Sequence, residues 1–182
     1  MDRTSVEELI AWRYAEEYQA TLRFEYPGFQ AQKCCGATKA ALGYRRADAG
    51  GLFLEAYLDV PVESVLQDML GRSFARRDIV EIGNLASCNA LAMIALWART
   101  ANDLGSDAEI AVAVLTAPLR AMFSRLGIPL TEIAPADPAR LCGNKSDWGE
   151  YYKNEPVICA GLIAEGQQRL TRFAARIERR AA

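Results

Sequence analysis

One stretch, Asp78 to Ala98 (DIVEIGNLASCNALAMIALWA), constrains this chain more than any other. Ile79, Val80 and Ile82 form a β-branched run of the kind that fills a buried strand, and Leu91, Ile94, Ala95 and Ala98 then recur at helical spacing. A strand feeding straight into a helix is a building unit of a layered α/β domain. Within that strand, Glu81, Gly83 and Asn84 are poor choices for packing alone. Such breaks in local consistency concentrate at functional sites; the alternative is a buried carboxylate with a satisfied partner, here Arg76, Arg77 or Arg120.

A length of 182 residues with 51% hydrophobic side chains suits one globular domain spanning 1–182. The chain has no histidine, which removes the usual general base, the Ser-His and Cys-His nucleophile pairs and most zinc sites. Proton transfer must then fall to carboxylate, tyrosine, cysteine, lysine or water. A net charge of -2 argues against nucleic-acid binding through a broad basic surface. The longest apolar run, Ala90 to Ala98, is too short to span a membrane, and MDRTSVEELIAWR lacks the apolar core of a signal peptide. A cytoplasmic protein is expected. The five cysteines, Cys34, Cys35, Cys88, Cys142 and Cys159, are odd in number and show no CxxC spacing, so reduced thiols and no metal are expected.

Along the chain, Leu9, Ile10, Tyr14 and Tyr18 predict an amphipathic helix over Val6 to Leu22, broken by the YPG at 26–28. Ala37 to Arg45 and Leu52 to Leu58 are strand-like runs joined by RADAGG, which predicts a hairpin. Pro61 opens a short helix to about Leu70. From Asp78 the order is strand, helix to Leu104, strand Glu109 to Leu115, helix Pro118 to Leu126 and short strand Leu130 to Ala134, a βαβαβ pattern. Ala134 to Asn144 is a loop, Val157 to Cys159 a strand, and a final helix starts near Leu162.

This order resembles that of GNAT-type N-acyltransferases, and PLRAMFSRLGI at 118–128 is similar to the helix and turn where that superfamily carries alanine, aromatic, basic and Gly-apolar residues. LFLEAYLD at 52–59, IVEIGNLAS at 79–87, FSRLGIPLTEIAPADPARL at 123–141 and WGEYY at 148–152 resemble the thermostable haemolysin-like family, whose members are similar to GNAT-fold and acyl-homoserine-lactone-synthase-like enzymes. The resemblance implies an α/β (α+β) fold: a mixed, mostly antiparallel sheet flanked by helices, with splayed central strands. It also implies that an acyl-pantetheine arm pairs with an exposed strand edge at Gly83, Leu85, Ala86 and Ser87, with Arg120 as a further cofactor contact. A regular strand points Glu81 and Asn84 to opposite faces; a bulge at Gly83 would bring them together.

The implied chemistry is attack by an amine on an activated acyl carbon, which needs a base, an oxyanion donor and an acid for the leaving group. Glu81 is the candidate base, Asn84 the candidate orienting or oxyanion group and Tyr152 a candidate acid. Tyr57, Trp148 and Tyr151 are candidate substrate contacts, although aromatic clusters often only fill a core. Two departures from the GNAT pattern matter: the phosphate-cradling loop reads ASCNALA without glycine, and Phe123 stands where a tyrosine often protonates the thiolate. These departures leave three co-substrates open: acyl-CoA, an acyl carrier protein thioester or an aminoacyl-tRNA, none of them tightly bound.

Arg169, Arg172, Arg176 and Arg179 share a face of the last helix and are candidate tRNA or phosphate contacts, or a solvated face complementing the helix dipole. Arg45 and Arg46 add basic charge. Cys88 is a candidate thiolate at a helix start or a packing residue, and the Cys34–Cys35 pair has no further ligand nearby. The expectation is an acyltransferase acting on a small-molecule amine in specialised metabolism, compatible with a homodimer. The alternatives are an aminoacyl-tRNA-dependent transferase and a non-catalytic ligand-binding or membrane-active protein.

Overall fold

The computed structural model describes residues 2–141 and 145–181. Its first helix, α1 (Arg3–Tyr18), buries Val6, Leu9, Ile10 and Tyr14. It stops before the expected Leu22 because Gln19 takes a left-handed conformation (φ 55°) and turns its N–H back onto Ala15. Strand β1 (Gly28–Cys34) follows, with Phe29 and Ala31 buried between partly exposed glutamines. The sequence pattern does not announce this strand, because YPG reads only as a break.

Its presence corrects the expected hairpin. Strand β2 (Ala37–Arg46) pairs with β1, not with 52–58. The connection is the two-residue turn Cys35–Gly36, with φ of 50° and 80°, the double positive φ of a type I′ turn. Leu52 to Leu58 forms no strand: Phe53–Tyr57 is a 3-10 helix that buries Leu54 and Tyr57. The Phe53 and Leu54 N–H groups, which a sheet partner would otherwise satisfy, donate to the Glu81 carboxylate at 2.9 and 2.8 Å.

The remaining elements follow the expected order: α2 (Val62–Leu70), β3 (Ile79–Ser87), α3 (Ala90–Leu104), β4 (Ile110–Leu115), α4 (Ala117–Arg125), β5 (Thr131–Pro135), β6 (Val157–Leu162) and α5 (Ile163–Ala181). They build a six-stranded sheet in the order β1-β2-β3-β4-β6-β5. Of its pairings, only β3 with β4 is parallel; β6 inserts antiparallel between β4 and β5. The βαβαβ pattern thus resolves into one parallel crossover through α3 and an antiparallel remainder.

Strand alternation sends side chains to two cores. Ala41, Ala86, Val112 and Ile158 face α1, α2 and the 3-10 helix, whereas Leu42, Val80 and Ala113 face α3, α4 and α5. Pairing between β3 and β4 runs only from Ile79–Ile110 to Ile82–Ala113. Beyond that point β3 stays with β2 and β4 stays with β6, so the two central strands diverge.

Cys35 is held in a left-handed conformation that disfavours side chains other than asparagine, aspartate and glycine. Cys35→Asn therefore raises stability by about 0.5–1 kcal/mol, read as a higher urea midpoint with unchanged slope.

Candidate active site

The divergence is reinforced by a β-bulge. Ala41 pairs with Ala86 and Gly43 with Gly83, so Asn84 and Leu85 together stand opposite Leu42. Asn84 is the member in the left-handed conformation, with φ 51°, which asparagine tolerates better than other side chains. The expected bulge is present but lies one residue beyond Gly83. Gly83 is needed for a different reason, since a Cβ there would sit 2.1 Å from the Tyr26 hydroxyl oxygen, and one on its partner Gly43 would sit 2.7 Å from the Tyr26 ring. The two facing glycines form a slot that the Tyr26 side chain fills.

Glu81 is 1% exposed. Its carboxylate accepts from the Phe53 and Leu54 backbone N–H groups, and the Tyr26 hydroxyl lies close enough to interact with it. Burial pushes its pKa above the ordinary carboxylate value, against the lowering effect of these donors and of the Arg45 charge. None of the three expected arginine partners serves it: Arg76 pairs with Glu55 and Glu63, Arg77 with Asp78, and Arg120 with Glu132. Tyr26 stays neutral, its pKa raised well above 10 by burial and by the Glu81 charge.

Above this pair lies a cavity of about 220 Å³ on the α1 face, lined by Tyr14, Tyr18, Tyr26, Phe53, Tyr57, Trp148 and Tyr151, with Arg23, Glu25, Arg45 and Asp147 adding charge. Ile82, Gly83, Asn84 and Leu85 form its floor along the diverging strand. The loop after α1 and the Trp148 segment are stitched together over it by the Thr21 N–H on the Asp147 carbonyl and the Glu150 N–H on the Tyr18 carbonyl, both 2.7 Å. Among the described residues, the Asn84 side-chain nitrogen is buried without a hydrogen-bond partner.

Of the candidates read from sequence, Gly83, Asn84, Leu85, Tyr57, Trp148 and Tyr151 thus meet at one cavity. Glu81 lies behind it, joined through Tyr26. Tyr152 reaches it only through Tyr57, their hydroxyls 2.6 Å apart. Ala86 packs against α1, and Ser87 pairs with Ala40. Arg120 is engaged inside the chain, donating to the Leu115 and Glu155 carbonyls at 2.7 Å. Arg169 and Arg172 are exposed on α5; the side chain of Arg176 lies outside the described residues. Sequence reasoning misses Tyr26 and Phe53 and sees Arg45 only as added charge; the interior glycines Gly43 and Gly83 are the signal that something lies across them.

A second, apolar cavity of about 110 Å³ lies on the opposite face among α3, α4, α5 and the sheet. Ile82 and Leu85 line both cavities, so they adjoin at the divergence. Phe123 lines this second cavity and stacks on Trp97, ring centroids 4.1 Å apart. At the α3 N-terminus, the Asn89 side chain accepts from the Ala92 N–H at 2.9 Å, occupying one donor that a pyrophosphate would use. Among the described residues no group of three or more potential metal ligands occurs, and no helix is long and apolar enough to cross a membrane.

The family model described as thermostable hemolysin matches residues 1–167. The chain belongs to that family. No curated protein matches the sequence. Among solved structures, the CoA-dependent acyl-homoserine lactone synthase BjaI, with SAM and isopentyl-CoA, is similar at 13% identity and TM-score 0.63, covering 97% of this chain and 83% of that one. FeeM, an N-acyl amino acid synthase from uncultured soil microbes, is similar at 15% identity and TM-score 0.59 over 92% and 94%. The AHL synthase LasI is similar at 12% identity and TM-score 0.60 over 93% and 89%. This thermostable hemolysin family member therefore has the GNAT-like fold of those proteins.

The raised Glu81 pKa has a signed consequence for stability. The folded state holds this proton more tightly than the unfolded chain, so the contribution is full at pH below the unfolded value and is lost as pH rises through the folded one. Glu81→Gln removes that slope: urea melts across this range show the variant gaining stability relative to the parent as pH rises. Gly83→Ala expels Tyr26 from its slot and lowers stability by about 1–3 kcal/mol.

Proposed function

We propose that this protein transfers an acyl group from a pantetheine thioester, carried by CoA or an acyl carrier protein, to the amine of a small molecule. The observation that carries this reading is the pair of cavities meeting at one strand divergence: an aromatic and charged one on the α1 face, an apolar one on the other. The amine occupies the first, the acyl chain the second, and the pantetheine arm the β3 edge from Gly83 to Ser87, which β4 leaves unpaired. The similar structures that act on acyl groups support the same reading.

The reaction forms the C–N bond and breaks the C–S bond. The amine proton passes to the Tyr26 hydroxyl as the Tyr26 proton passes to Glu81. A raised pKa makes Glu81 a better proton acceptor than an ordinary carboxylate, and Tyr26 gives it the reach its burial denies. The unpartnered Asn84 amide is placed to donate to the oxyanion. The leaving thiolate takes back the proton that Tyr26 and Glu81 received from the amine; Tyr57, its pKa pushed far up by burial and by its hydrogen bond with Tyr152, stays a neutral hydroxyl lining the cavity. An aminoacyl-tRNA donor draws support only from the exposed Arg169 and Arg172, and the apolar second cavity favours a hydrocarbon chain.

The test is thiol release from a series of acyl-CoA and acyl carrier protein thioesters in the presence of amino acids and simple amines. Glu81→Gln and Asn84→Ala each lower kcat about 100-fold, and Tyr26→Phe lowers kcat while leaving KM for the thioester unchanged. Full turnover in Glu81→Gln and Asn84→Ala, with both proteins folded, would sink the assignment.

A further inference from the structure

Two side chains that line the apolar cavity carry buried polar atoms with no partner among the described residues. Trp97 and Thr100 lie three residues apart on the same face of α3 and are 6% and 5% exposed. Both line the cavity, whose other walls include Leu85, Leu104, Phe123 and Ile128. Among the described residues, the Trp97 indole nitrogen and the Thr100 hydroxyl are buried without a hydrogen-bond partner. A helical threonine commonly turns its hydroxyl onto the carbonyl one turn back, and Thr100 does not. The cavity thiol of Cys159, by contrast, has a partner in the Val157 carbonyl at 3.6 Å. Orphaned buried polar groups are costly, so two of them on side chains that line one apolar cavity point to a ligand that pairs with both.

Their chemistry restricts that ligand. An indole N–H only donates, so it requires an acceptor oxygen; a threonine hydroxyl both donates and accepts. A hydroxyl or ketone on a hydrocarbon chain meets both demands.

Their position restricts it further. The crossover through α3 makes this helix run antiparallel to β3 and β4, so its C-terminal half lies beside the hydrogen-bonded end of that strand pair. Thr100 is one turn, about 5 Å, past Trp97 toward that closed end. A chain entering from the α1 face at Asn84 must cross the sheet and then descend before it reaches these groups. The oxygen therefore sits well along the chain, not on the carbons beside the acyl carbon.

Resting on the acyl-transfer reading above, we propose that Trp97 and Thr100 form a polar subsite that selects acyl chains carrying a hydroxyl or keto oxygen in their distal part.

Two measurements test this. Calorimetric titration compares dodecanoic acid, 3-hydroxydodecanoic acid and dodecanoic acids hydroxylated in the distal half. These acids carry no thioester, so they read the cavity independently of turnover. Thiol release from the matching CoA thioesters then gives kcat/KM for the same chains. The distal-hydroxy chain is expected to lead both others by about ten-fold or more. Thr100→Val and Trp97→Phe should abolish that lead. Thr100→Val keeps the side-chain shape and removes an orphan, so its melting temperature should not fall. Equal binding of saturated and distal-hydroxy chains, a lead that survives both substitutions, or neither binding nor turnover for every chain would overturn the proposal. Selective binding without turnover of any thioester would leave the subsite standing and remove the acyl-transfer reading instead.

Discussion

The parting of β3 from β4 after Ile82 governs this structure. A parallel pair buried on both faces would ordinarily continue as a ladder, and here it ends after the Ile82–Ala113 pairing. The extra residue at Asn84–Leu85 bends β3 toward β2, while β6 holds β4 through Leu115. Each central strand keeps a full partner on its outer side, so the gap opens without disrupting either half of the sheet. Both cavities and the unpaired β3 edge follow from that gap.

Glu81 shows how structural and chemical demands can share one group. Its carboxylate satisfies the first two N–H groups of the 3-10 helix, which fixes Phe53 and Tyr57 as walls of the cavity. Burial raises its pKa, and the rise is opposed by the same backbone donors that hold the 3-10 helix and by the Arg45 charge. The same bonds leave little of it accessible, and Tyr26 supplies the contact that remains.

The strand at Ile79, its carboxylate and its amide were legible because β-branched residues and misplaced polar ones stand out in a short run. The helices from α2 onward were legible from spacing and breakers. The hairpin was misassigned because residues 52–58 and a strand share an apolar composition; a carboxylate distant in sequence, Glu81, decides between them by taking the Phe53 and Leu54 N–H groups. Register was not legible either. Whether the bulge falls at Gly83 or at Asn84 depends on the pairing with β2, and the facing of Gly43 and Gly83 exists only once that register is set. Tyr26, which reads as part of a turn, gains a role only from that slot. The aromatic cluster at Trp148, Tyr151 and Tyr152 was visible as composition, but which ring would face the cavity and which would stand behind Tyr57 was not.

The glycine slot ties the loop after α1 to the middle of the sheet. Tyr26 belongs to the loop that roofs the cavity, and its hydroxyl is the contact between that cavity and Glu81. Because a side chain at either glycine would overlap the ring, the loop after α1 and the β2–β3 pair are fitted to one another: a substitution that alters the slot displaces the Tyr26 side chain, and with it one wall of the cavity and one neighbour of the buried carboxylate.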